Sequence, residues 1–342
     1  MARCDGFGLH GDWHSLLGWV CSLAVHFQFQ AAMAALVLAG WFVLEGRHWL
    51  AGMAAALVLA NLSPVWPLLT PYTKLPPSLS PLSATQPHLR IMSINIWEYN
   101  PRPEAVFKAI SANNPDVVVL IEAEDNWKPR LKASPVLARY RYRLQHPDYQ
   151  MAVYSRYPLS EPRLIKSITH FRRYRPDEAG QPVVSHYSGI RLLIAAVTVT
   201  VDGTPLSLVA LHPPSPISPG RYDTALNYFN HVAGLKDSLY PNQVVVGDFN
   251  TSSQSWFFKR FVAFMNLRDT QRMAGGGWQP SWPTMCPLLY ITLDHTLVSP
   301  AVTLIQRQTG PFTGSDHLPV TVDVALTPKP IPESPAPESP AP

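Results

Sequence analysis

Two kinds of hydrophobic pattern divide the chain. Up to about residue 70, apolar residues run on almost unbroken: from Ser15 to Leu44 the one Asp, Glu, Lys, Arg or His is His26, and from Trp49 to Leu69 there is none. A helix crossing a bilayer needs about 20 such residues. The pattern predicts two transmembrane helices, at about 26–44 and 49–69, with Trp49 and Trp66 suited to the two interfaces. Trp13 to Val25 reads as an interfacial segment before them. A cleaved leader is disfavoured: "MARCDGFGLHGDWH" lacks a short basic start, and the apolar material runs far past any cleavage point. Residues 1–70 are therefore read as a membrane anchor.

The pattern then changes twice. Between Pro64 and Pro87 there are seven prolines among Ser, Thr and Leu, a composition that favours extended polyproline II, so 71–88 is read as a linker. Beyond it, short apolar runs recur with turn residues between them, as far as a tail, 327–342, whose "PESPA" repeats predict disorder. In 89–326, strands fit "LRIMSINIW", "DVVVLIEAE", "MAVYSR", "RLLIAAVTVTV", "PLSLVALH", "NQVVVGDF", "LDHTLVS" and "LPVTVDVAL". Helices fit "PEAVFKAISANNPD" and about Gly220 to Leu239. Strands outnumber helices and hairpin-like turns such as "VDGTP" follow several of them, which predicts two packed mixed sheets with helices outside.

Composition sharpens this picture only locally. Charged residues make up 15% and hydrophobic ones 46%, and the surplus of apolar residues lies in the first 70. In the remainder Lys and Arg outnumber Asp and Glu by five, which permits a phosphate-bearing substrate without demanding one. "RYRYR" from Arg139 and "FRRYR" from Phe171 pair a phosphate-gripping cation with a stacking ring, and each is equally compatible with a solvated face. Cys4, Cys21 and Cys286 form neither a disulfide framework nor a metal-ligand spacing.

The chemistry collects at strand ends: Asn95, Glu122, His212, Asp248 with Asn250, Asp294, and Asp316 with His317. A rigid sheet holds such positions still. Carboxylates with a carboxamide are hard oxygen ligands suited to magnesium or manganese, whereas zinc calls for clustered His and Cys. Glu122 is the first candidate ligand, because a charge closing the buried run "VVVLI" is costly without a partner. His317 fits a general base that takes a proton from water, and Asp294 fits the carboxylate that orients it.

"SINIW", "VVVLIE", "ALH", "GDFN", "LDHTLVS" and "SDHLPV", in that order and spacing, resemble the endonuclease/exonuclease/phosphatase superfamily over about Leu89 to Leu326. Apolar spans and a proline-rich linker before that domain resemble its bacterial membrane-anchored branch. The resemblance implies a four-layer α/β sandwich of two mixed β-sheets flanked by helices, here preceded by the transmembrane helical region. It implies metal-binding roles for Asn95, Glu122 and Asp316, with Glu122 the principal ligand. Asp248 and Asn250 would orient the attacking water and hold the phosphate, His212 would contact the scissile phosphate, and Asp294 and His317 would form the orienting pair. Two positions depart from the family: Ile121 stands where Gln often precedes the Glu, and "PPSP" follows His212. The tyrosine of the abasic-site branch has no counterpart assigned here. Trp278 and Trp282 could form a lip over the site.

These readings lead to a membrane-anchored, Mg2+-dependent phosphodiesterase of nuclease type, with Mn2+ as the other suitable ion. An alternative is a phospholipid or sphingomyelin headgroup phosphodiesterase, or a phosphomonoesterase, of the same fold; another is an inactive membrane-tethered scaffold. The partners expected are a phosphate-ester substrate, nucleic acid or lipid headgroup, and a membrane, with no obligate protein partner. The resemblance implies the inner membrane of a bacterium, and Arg47 in the short loop "EGRHW" predicts that the domain lies on its periplasmic face.

Overall fold

The computed structural model describes residues 16–69, 86–145, 150–168, 171–176, 182–187, 191–274 and 279–328. Most of the expected linker and tail, together with Trp13 and Trp278, lie outside the described residues. Along the chain the strands are β1 (His88–Asn95), β2 (Val117–Ile121), β3 (Tyr142–Gln145), β4 (Met151–Ser155), β5 (Leu159–Ile168), β6 (Phe171–Pro176), β7 (Pro182–Tyr187), β8 (Arg191–Val201), β9 (Thr204–Leu211), β10 (Gln243–Asp248), β11 (Arg268–Asp269), β12 (Asp294–Val298), β13 (Val302–Thr309) and β14 (Val320–Leu326). Two six-stranded sheets result, in the orders β13-β14-β1-β2-β4-β3 and β11-β12-β10-β9-β8-β5, and β6 pairs with β7.

Alternation explains how the sheets stack. Leu89 and Ile91 of β1, Val117 and Val119 of β2, Leu208 and Ala210 of β9 and Val244 and Val246 of β10 share one buried core between the sheets. The alternate residues face outward and are apolar as well, so each strand is buried on both sides. On one outer face Ile94, Val118 and Leu120 pack on Val106 and Ile110 of the helix Pro103–Asn113. On the other, Val209, Val245 and Leu297 pack on Phe229, Phe258 and Phe261. Three cores separate four layers, which is the α/β sandwich expected.

The helices are α1 (Leu16–Ala24), α2 (Gln28–Leu44), α3 (His48–Leu62), α4 (Trp66–Leu69), α5 (Pro103–Asn113), α6 (Lys128–Ala133), α7 (Pro219–Ala233), α8 (Trp256–Phe264) and α9 (Thr270–Ala274). Pro103 opens α5 and Asn114, left-handed at φ 47°, closes it. Ser218 caps α7 by accepting from the Arg221 N–H at 3.4 Å. That helix stops at Ala233, short of the expected Leu239, because Gly234 ends it and a separate turn of 3-10 helix follows at Lys236–Ser238.

At the N-terminus, a turn of 3-10 helix joins α1 to α2, and Trp19–Leu44, 26 residues, is the one helix among the described residues long and apolar enough to cross a membrane. α3, at 15 residues, is shorter, and ends just before Pro64. Both helices pack together, burying the small residues Ala32, Ala35, Ala51 and Ala54. In the segment before His26, α1 lies against the sandwich, where the Trp19 indole donates to the Pro216 carbonyl at 2.7 Å.

Gly247 breaks the valine run of β10 for a steric reason. Its φ is +152°, and a Cβ there would stand 2.0 Å from the Leu211 carbonyl oxygen of the neighbouring parallel strand. Gly247→Ala is expected to cost about 3 kcal/mol or more through strain and displaced backbone. Thermal unfolding checks this: a midpoint within about 2 °C of the parent, where a loss of that size shifts it several degrees, rules the account out.

Candidate active site

Strand register gathers the chemistry at one edge. β1 and β2 run parallel with Asn95 opposite Ile121, so Asn95 and Glu122 leave the first sheet side by side. β9 and β10 run parallel with Leu211 opposite Gly247, which puts His212 beside Asp248 at the end of the second sheet. β12 enters antiparallel with Asp294 opposite Asp248. The loop before β14 then brings Asp316 and His317 over this edge, fixed by Ser315: its hydroxyl donates to the Asn95 carbonyl at 2.7 Å and accepts the His317 N–H at 3.1 Å.

Two groups share Asp248. In the first, His212 Nε2 stands 3.8 Å from Glu122 Oε1 and 3.7 Å from Asp248 Oδ2. Asn95 Nδ2 donates to both carboxylates, at 2.8 Å to Glu122 and 3.1 Å to Asp248. Its orientation is fixed because Oδ1 accepts the Trp97 N–H at 3.0 Å. Asn95 therefore turns a donor, and not its oxygen, toward the acids. In the second group, His317 Nδ1 lies 2.7 Å from Asp294 Oδ2 while Nε2 lies 3.6 Å from Asp248 Oδ2. The imidazole bridges two buried carboxylates.

The remaining expected residues are near but differently engaged. The Asn250 N–H donates to Asp248 Oδ1 at 2.8 Å, and Asn250 Nδ2 donates to the Pro213 carbonyl at 3.0 Å. The prolines after His212 thus serve to seat Asn250. Asp316 lines the same cavity, but its Oδ2 accepts the Trp282 indole N–H at 3.2 Å. It belongs to neither cluster of His and carboxylate donors lying within 4.8 Å of one another, which are Glu122, His212 and Asp248, and Asp248, Asp294 and His317.

Several supports had no announcing pattern. The Tyr228 hydroxyl accepts the His212 N–H at 3.0 Å, and the Ser281 hydroxyl accepts the N–H groups of Leu293 and Asp294. His26, the lone histidine of an apolar run, is buried with Nδ1 2.8 Å from the Ser252 hydroxyl, two residues after Asn250. A single histidine within that apolar run was the one signal available for it. The "RYRYR" cluster, by contrast, stays away: Tyr140 is buried with its hydroxyl donating to the Pro115 carbonyl at 2.9 Å, and none of Arg139 to Arg143 lines the cavity. The side chains of "FRRYR" lie outside the described residues.

Electrostatics follow from burial and proximity. Burial pushes the Asp248 carboxyl up to about 6, against the pull of His317. For His317 burial disfavours the charge, but Asp294 and Asp248 outweigh it and hold the imidazole well above its usual value. Burial, with Glu98 and Glu122 close by, pushes the Glu124 carboxyl up to about 7. Acidic charge is thus crowded at Glu122, Glu124 and Asp248, and two of those carboxylates converge on one neutral amide donor. A hard divalent cation fits the carboxylate oxygens of Glu122 and Asp248 in this group.

The site opens into a cavity of about 700 Å3 whose far wall comes from the N-terminal helix, through Leu23, His26 and Phe27. A family model described as the Endonuclease/Exonuclease/phosphatase family matches residues 92–317. Similar solved structures include an endonuclease/exonuclease/phosphatase from Beutenbergia cavernae DSM 12333, 21% identical, with 70% of this chain and 72% of that one covered at a TM-score of 0.51. A family protein from Bacteroides thetaiotaomicron is 16% identical over 71% of this chain and 97% of its own, at a TM-score of 0.52. D. rerio TDP2, solved with a single strand DNA product, is 17% identical over 69% and 98%, at a TM-score of 0.51. At these identities the likeness is one of fold. No curated protein matches the chain.

Proposed function

The chain belongs to the endonuclease/exonuclease/phosphatase family, and from that premise we propose that it is a membrane-anchored phosphoester hydrolase that depends on Mg2+, with Mn2+ able to replace it. The observation that carries this reading is the pair of donor groups sharing Asp248, one suited to a cation and the other to a proton. Glu122 and Asp248 would hold the ion, which when bound polarises a phosphoryl oxygen and offsets charge on the leaving oxygen.

The chain's own residues supply the rest. His317 Nε2 takes a proton from water as the water oxygen bonds to phosphorus, while Asp294 on Nδ1 fixes the ring and stabilises its charged form. Asp248 and Asn250 orient that water, their positions locked by the Asn250 bonds to Asp248 and Pro213. The ester P–O bond breaks on the opposite side, and His212, carrying a proton, faces the departing oxygen and gives that proton to it. Asn95 holds Glu122 and Asp248 together, and Asp316 acts with Trp282 at the cavity wall. An inactive scaffold finds no favouring observation, since Glu122, Asp248, Asn250, Asp294 and His317 are all present and converge.

Full-length protein in detergent should hydrolyse bis(p-nitrophenyl) phosphate with Mg2+ or Mn2+, lose that activity on chelation with EDTA, and regain it when the ion is returned. A folded chain that hydrolyses neither this diester nor DNA, RNA, phospholipid or a simple phosphomonoester with either ion overturns the reading. For orientation, the hairpin tip between α2 and α3 carries Arg47, and positive charge favours the cytoplasm. The domain then lies on the periplasmic side of a bacterial inner membrane. An enzyme reporter fused to the C-terminus and active only in the cytoplasm reverses this assignment.

A further inference from the structure

The N-terminal helix divides into two halves with different surroundings. Its first half is tied to the catalytic layers at three points: Trp19 Nε1 to the Pro216 carbonyl at 2.7 Å, His26 Nδ1 to the Ser252 hydroxyl at 2.8 Å, and Gln30 Nε2 to the Tyr290 carbonyl at 2.9 Å. Its second half projects with α3 as a hairpin whose apolar side chains stand exposed, Val37 at 73%, Leu44 at 86% and Leu59 at 71%. The boundary between the halves falls where the cavity opens, since Leu23, His26 and Phe27 line it.

Apolar loops flank the same boundary. Gln30 fixes the end of the segment Met285–Leu289, in which Met285 is 77% and Leu288 85% exposed. Trp19 fixes the segment Pro213–Ile217, in which Ile217 is 68% exposed and lines the cavity mouth. Large side chains held out to this extent lie on loops bonded to the foot of an apolar hairpin, and exposed apolar groups gathered in this way mark an interaction site. A bilayer is the occupant that suits it, because the hairpin helices, of 17 and 15 residues and so about 22 to 26 Å long at 1.5 Å per residue, approach the thickness of a hydrocarbon core.

We propose that the cavity mouth rests on the lipid leaflet from which the α2–α3 hairpin enters, with the Met285–Leu289 loop inserted beside it, and that the substrate is an amphiphilic phosphoester drawn from that leaflet. This substrate class rests on the hydrolase reading above; the placement of the loop in lipid does not. The phosphate reaches Glu122, His212 and His317 while the apolar part stays against Leu23 and Phe27 of the N-terminal helix and the leaflet below. Anchor and catalytic layers thus build one site, and nucleic acid, which has no apolar part to place there, is the poorer fit.

Two measurements on the full chain in phosphatidylcholine and phosphatidylglycerol vesicles test this. The first reads depth without any catalysis: a nitroxide on Cys286, after Cys4→Ser and Cys21→Ser, should collide more with oxygen than with a water-soluble nickel chelate. Nickel collisions as frequent as on an exposed water-phase label overturn the proposed surface. The second compares Leu288→Glu with the parent: headgroup release from the vesicle phospholipids should fall at least tenfold while hydrolysis of bis(p-nitrophenyl) phosphate stays unchanged. Equal loss of both activities, no loss of either, or cleavage of single-stranded DNA faster than vesicle lipid overturns the substrate class. A parent chain inert toward every phosphoester overturns the hydrolase reading and this substrate class together, and the Cys286 depth still decides whether the loop lies in lipid.

Discussion

Glu122→Gln is expected to lower metal-dependent turnover by about two to three orders of magnitude, the scale seen when one electrostatic contributor to a reacting centre is removed. The substitution keeps volume and deletes one negative charge. It also reverses part of the hydrogen bonding, because both Glu122 oxygens accept: Oε1 from Asn95 Nδ2 at 2.8 Å and Oε2 from the Glu98 N–H at 3.3 Å. A glutamine amide nitrogen must therefore face one of two donors. Glu122 is held at φ 58°, so the backbone already commits the side chain to this direction, and little relaxation is open to it. The prediction is checked on purified protein by turnover and by Mn2+ binding followed by electron paramagnetic resonance. Unchanged turnover with unchanged Mn2+ affinity removes Glu122 from the ion's shell.

How much of this could be read in the sequence depends on what each residue was doing. Asn95, Glu122, His212 and Asp248 were legible because each closes an apolar run, where an acid, amide or imidazole has no packing role, and the parallel pairings carried all four to one edge. Gly247 was visible as a break in the valines, but its cause, the Leu211 carbonyl of a strand 36 positions earlier, is a tertiary contact with no local trace. β13 was not anticipated, since an edge strand needs only one apolar face and "VTLIQRQT" carries a bulge between Leu304 and Gln306 that breaks the alternation. α8 was missed because its aromatic residues, Trp256 to Phe264, resemble strand formers and its helical register appears only once Phe257, Phe258 and Phe261 are seen packing together. The N-terminal apolar run was legible only in part. Composition cannot distinguish residues that face lipid from residues that face protein, so the contacts of α1 with the cavity and with Pro216 left no trace in the sequence.

Asp294→Asn is expected to lower turnover by about two to four orders of magnitude, the range typical of a disabled acid or base, and to move the pH profile in a definite direction. Asp294 accepts from His317 Nδ1 at 2.7 Å and helps hold that imidazole above its usual value, although burial works the other way. A base must be neutral to take a proton from water. Activity should therefore rise with pH through the raised His317 value and be low beneath it, where the ring is charged. Removing the Asp294 charge leaves burial less opposed, so the rising limb should shift to lower pH even as the maximum falls. His317→Ala should cost about as much and abolish that limb, with the double variant little worse than either single one, because residues that act as one unit are not additive. Glu124, pushed up to about 7, also titrates in the pH range scanned and must be separated: Glu124→Gln should leave the Asp294-dependent shift in place. Asp316→Asn is the second control: Asp316 bonds Trp282 and lies outside the bridge formed by His317, so the Asp294-dependent shift should persist in that background. Losses that multiply in the Asp294 and His317 double variant, or a limb that moves to higher pH in Asp294→Asn, would mean that the two residues do separate work and that His317 is not the base.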